Sequence, residues 1–61
     1  MNLESLMACF CKSREALHFY SNCLSNNNLS DEDKELLYEL VQDAASASNR
    51  IKKHCEDMVK K

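Results

Sequence analysis

The chain has no glycine and no proline. Without these turn-formers and helix breakers, a fold of strands joined by tight hairpins is disfavoured. Long apolar runs are missing too: none approaches the ~18 residues of a membrane span. No basic segment precedes the first apolar residues, so no secretory signal is read at the N-terminus. Basic charge is also scarce. Eight Lys and Arg against ten Asp and Glu give a formal net charge of −2, which is not the footprint of a general nucleic-acid binder. Met1 and the terminal Lys60-Lys61 are expected to bound a complete small reading frame, and the expected location is cytoplasmic.

Length sets the next limit. The 61 residues hold one domain, 1–61. Such a chain buries only about 60% of the surface its unfolded form exposes. Scaffolds this small usually need a disulfide, a metal or a partner chain. Four cysteines are present, but a disulfide framework belongs to secreted chains. Cys9, Cys23 and Cys55 are therefore expected as small buried hydrophobes, and Cys11 as an outward thiol able to crosslink on oxidation.

What is present is helical periodicity. Leu3, Leu6, Phe10, Ser13, Leu17, Tyr20 and Leu24 alternate steps of three and four, the seam of an amphipathic helix over about 3–25. Cys9, Ala16 and Cys23 flank it. Ser25 and Asn26 to Asn28 follow, and Asn, which tolerates left-handed backbone, can end a helix where glycine is absent. Ser30 is a good N-cap, with Asp33 at the capping-box position. Asp31, Glu32 and Asp33 suit the positive end of a helix dipole.

A second helix is expected over about 31–59, closed by Lys60 and Lys61. Its seam reads Leu37, Leu40, Ala44, Ala47, Ile51, His54 and Met58, flanked by Leu36, Val41, Ser48 and Cys55. From Leu36 to Ala47 this helix loses bulk, which invites large side chains from the first helix. A short connection makes the helices antiparallel neighbours. Folding at Asn26 to Asn28 pairs Tyr20 with Leu37, Leu17 with Leu40, Ser13 with Ala44, Phe10 with Ala47, Leu6 with Ile51, and Leu3 with His54. Large residues then meet small ones mid-hairpin, as a packed core requires.

The expected fold is all-α: an antiparallel helical hairpin. Each helix presents a stripe wider than one neighbour can cover. A homodimer completing a four-helix bundle is the simplest remedy, since twofold dimers dominate soluble oligomers.

No motif for chemistry emerges. Cys9 and Cys11 point about 200° apart on a helix, and a zinc site needs about four converging ligands. His54 sits beside Cys55 at the bundle end and reads as a half-buried side chain with a polar partner. A Cys-His catalytic pair would need a pocket and an orienting group, for which a hairpin has little room. No enzyme activity, cofactor or metal is expected. Two surfaces suggest partners instead. Asp31, Glu32, Asp33, Glu35, Glu39 and Asp43 form an acidic face able to meet a basic partner, although any capped, soluble helix start carries such residues. Phe19 and Tyr38 lie off the seam in one layer with His18 and Lys34, and aromatics outside a core suggest a contact surface. The dimer interface is an equal candidate to cover them. The second helix is acidic in its first half and basic in its second, so two copies laid antiparallel would complement each other.

Length, turn position and the cap Leu29-Ser30-Asp31-Glu32-Asp33 resemble the Rop-type helical hairpin, a plasmid-encoded RNA-binding regulator that dimerises into a four-helix bundle. The resemblance implies the fold. That family binds paired RNA loops through polar, basic and aromatic residues of its first helices. Here the outward line is Lys12, Glu15, Phe19, Asn22 and Asn26, with one base and an acid, so the RNA site is not carried over. Three functions follow in order. The first is a non-enzymatic regulatory or accessory protein of a phage, plasmid or secretion system that binds another protein. The second is an RNA-binding regulator of the Rop kind, and the third a thiol-based metal or redox sensor.

Overall fold

Two helices packed against each other form an antiparallel hairpin in the computed structural model, which describes residues 2–60. Met1 and Lys61, which entered the readings of the reading frame and of the second helix's end, lie outside the described residues. Helix α1 is Leu3–Cys23 and helix α2 is Asp31–Val59. The molecule is a rod of 48 × 14 × 14 Å. No described helix is long and apolar enough to cross a membrane.

Each helix start is capped by a side chain. Asn2 Oδ1 accepts the backbone N–H of Ser5 at 2.8 Å, satisfying one of the four free donors of the first turn. Ser30 and Asp33 form the expected capping box: Ser30 Oγ accepts the Asp33 N–H at 3.1 Å, and Asp33 Oδ2 accepts the Ser30 N–H at 3.2 Å. The connection departs from expectation. Helix α1 ends at Cys23 with Leu24 as its cap, close to the expected bound, and no described residue takes a positive φ. Left-handed asparagine is not used. The last turn tightens instead through three-residue bonds, Ser25 N–H to Asn22 O and Asn26 N–H to Cys23 O, both 3.1 Å, a common way to satisfy terminal carbonyls. Asn26 Oδ1 then accepts the Asn28 N–H at 2.9 Å, a side-chain turn that redirects the backbone without glycine.

The register between the helices differs from the expected pairing by one turn. Ser13 meets Ser48, with oxygens 2.7 Å apart, where Ala44 was expected. Ser48 is 1% exposed and is the most buried residue described; Leu6 and Ala44 are the buried apolar residues. The seam of α2 therefore runs Leu37, Val41, Ala44, Ser48, Ile51, Cys55 and Met58, each buried or half-buried. Leu40 and Ala47 move to its edge and remain half-buried, while His54 is exposed rather than half-buried. The cause lies at the connection. With Ser13 level with Ser48, Cys23 stands level with Tyr38, so the first two turns of α2 project past α1. Residues 31 to 36 are all exposed, and only Leu24 and Leu29 of the connection are half-buried beside them.

The core expected of α1 lies on the correct face. Phe10, Leu17 and Tyr20 are half-buried on the side facing α2, and Leu6 is buried. Small residues at Ala44 and Ser48 let the two backbones approach where Ser13 crosses.

Candidate interaction surface

The exposed side chains carry the information about function. Leu3, Met7, Phe19, Leu36, Tyr38 and Val59 are large, apolar or aromatic, and open to solvent. Phe19 and Tyr38 are 66% and 57% exposed, which bears out their place off the seam. They do not form one aromatic pair. The ring of Phe19 packs edge-on against Tyr20, with centroids 6.2 Å apart and planes at 77°. Edge-on contact is a favoured aromatic geometry, and it steadies Phe19 on the outer side of α1. The one-turn shift explains the separation from Tyr38, which stands level with Cys23 instead.

Phe19 shares a shallow groove along one side of α1 with Phe10, Cys11, Arg14, Glu15, His18 and Asn22. His18 is exposed, as expected. The acids Asp31, Glu32, Glu35 and Glu39 are exposed along the projecting start of α2. His18 thus shares the Phe19 groove, while the acids line the exposed start of α2 that leads up to Tyr38.

A more apolar groove is not among the sequence expectations. It lies between the helices at the open end of the hairpin, has a volume of about 580 Å³, and is bordered by Leu3, Met7, Phe10 and Cys11 of α1 and by Lys52, Cys55 and Val59 of α2. Its walls are almost entirely carbon and sulfur. The signal that could have found it is the heptad line Lys52 to Val59 on α2 opposite Leu3 to Phe10, once the register is set. A second, more polar groove lies on the other side, between Leu6 and the Arg50 to His54 turn.

All four thiols are free. Cys23 and Cys55 are half-buried, but Cys9 is exposed, against expectation. It projects beside the seam from the part of α1 that one neighbouring helix does not reach. Cys11 is exposed as expected and also borders the open-end groove. Among the described residues, no three His, Cys, Asp or Glu side chains are grouped so as to hold a metal ion. An exposed ion pair joins Lys12 Nζ to Glu15 Oε2 at 3.3 Å; such surface pairs add little stability.

No protein-family model, curated protein or solved structure matches the chain.

Proposed function

We propose that the chain is a small non-enzymatic regulatory or accessory protein that acts by protein–protein contact as a homodimeric hairpin, two copies completing a four-helix bundle. One observation carries this reading. Hydrophobic residues make up 44% of the sequence, yet among the described residues Leu6, Ala44 and Ser48 are the buried ones. A single hairpin leaves its apolar surface largely unused, and contiguous exposed patches of this kind mark interaction sites. The exposed aromatics Phe19 and Tyr38 are suitable anchors, since such residues dominate binding energy at interfaces. The acids at the start of α2 would steer a basic partner toward that end.

Sedimentation equilibrium at micromolar concentration tests the first half of the proposal: a dimer is expected, and a fully helical monomer would overturn it. The second half is tested by co-purification from the native host. Phe19→Ala is expected to keep helicity and lose the partner.

A second reading, an RNA-binding regulator of the Rop kind, draws on the groove that places Arg14, His18, Phe19 and Asn22 together on α1, with the acid Glu15 among them. It predicts a steep loss of RNA affinity with salt. No mobility shift with structured RNA at low salt would remove it.

A further inference from the structure

Four of the large side chains left exposed, Leu3, Met7, Tyr38 and Val59, belong to one flank of the hairpin. The seam of α2 repeats every seven residues, from Leu37 through Ala44 and Ile51 to Met58. The residue after each therefore holds a constant side relative to α1: Tyr38, Ala45, Lys52 and Val59. Lys52 and Val59 border the open-end groove with Leu3 and Met7, which identifies the flank to which Tyr38 belongs. This flank is apolar at the open end, aromatic at the turn end and small at Ala45. Tyr38 and Val59 stand about 30 Å apart along the helix.

Charge runs the same way. Glu35 and Glu39, with Lys34, surround Tyr38 at the turn end, and Lys52 and Lys60 flank Glu56 on the groove at the open end, so the first end is net acidic and the second net basic. Parallel packing of two copies would set acids against acids and leave the groove without its aromatic. Antiparallel packing sets acids against bases at both ends.

We infer that the occupant of the open-end groove is a second copy of the chain, packed antiparallel on this flank, with Tyr38 of each copy seated between Met7 and Val59 of the other. The inference rests on the dimeric reading above and gives it a face and a direction. The twofold axis crosses α2 at the level of Ser48 and Asn49. Lys52 of one copy then lies over Ala45 of the other, with its stem on the small side chain and its ammonium in solvent. Glu39 comes level with Met58 and reaches the neighbouring Lys60. A rod face 48 Å long and 14 Å wide comes close to, without reaching, a standard interface of roughly 800 Å² per partner. Tyr38 is thereby taken up in self-association.

Zero-length carbodiimide crosslinking of the unmodified chain, followed by peptide mapping of the covalent dimer, tests this arrangement. Glu39 and Lys60 lie about 30 Å apart on one helix and cannot be joined within a chain, so a Glu39–Lys60 link reports antiparallel copies. That link is expected, and Tyr38→Ala is expected to weaken self-association about tenfold or more while helicity is kept. A dimer whose crosslinks lack this pair, or whose affinity is unmoved by Tyr38→Ala, overturns the proposed face and leaves the dimer standing. A chain that stays monomeric overturns both.

Discussion

Ser48 donates its hydroxyl hydrogen to Ser13 across the centre of the hairpin. The oxygens are 2.7 Å apart, and the single hydroxyl hydrogen of Ser13 is already given to the Phe10 carbonyl oxygen, also at 2.7 Å. The donor in the interhelical bond must then be Ser48. The pair is at once a polar contact and a packing device, because only small side chains fit where the helices cross. Buried polar groups that are fully paired can specify register in helical assemblies.

Removing that donor should cost little, and adding bulk should cost more. Ser48→Ala is expected to destabilise by about 1 kcal/mol, the usual net contribution of one hydrogen bond. Ser48→Leu is expected to cost about 1–3 kcal/mol through overpacking. Urea titration followed by circular dichroism measures both; a Leu variant as stable as the parent would show that the crossing is not tight.

The cap of α2 should matter more than its exposure suggests. Ser30→Ala removes the acceptor for the Asp33 N–H and is expected to cost about 1 kcal/mol. Asn2→Ala should have an effect of the same kind at the start of α1. Thermal melts of the two variants should both shift downward, with loss of helicity confined to the affected end in residue-resolved NMR.

Thiol accessibility should separate the cysteines. Cys9 and Cys11 are exposed, whereas Cys23 and Cys55 are half-buried. Brief alkylation of the native protein should modify the first two before the others. If copies pack over the open-end groove, labelling of Cys11 should slow as protein concentration rises, while Cys9 keeps its rate. Peptide mapping across a dilution series checks the ordering and the concentration effect together.

Phe19 should be energetically idle for folding. It is 66% exposed, and its ring contact is with the adjacent Tyr20. Phe19→Ala is expected to change stability by roughly 0.5 kcal/mol or less, as surface substitutions do, while lowering affinity for a cognate partner about tenfold or more. A large loss of stability would assign Phe19 to the fold instead.

Much of the fold is legible in the residues themselves. The capping box, the extent of α2 and the inward face of α1 follow from local patterns that tertiary packing does not disturb. The register is harder to read. Leu40 and Val41, Ala47 and Ser48, and His54 and Cys55 are adjacent pairs in which either member keeps a three-and-four spacing. Apolar periodicity alone cannot choose between the two series. Ser48 stands beside Ala47 as a flanking position in the apolar pattern, and its pairing with Ser13 is not marked by that pattern. Asn2 three residues before Ser5 was an equally readable cap. The surface was legible as exposed aromatics and acids, but their grouping was not, because a one-turn shift reassigns which side chains share a layer.

The overhang of α2 has a consequence for how the molecule breathes. Its first two turns have no α1 beside them and are held by the Ser30–Asp33 box and by Leu24 and Leu29. Amide hydrogens there should exchange with solvent through local fraying, well before those around Ser48, which open only when the hairpin does. The acids that would greet a basic partner thus ride on the most easily melted part of the rod. Binding at that end would be felt first as slowed exchange, and only secondarily as a gain in the melting temperature of the whole.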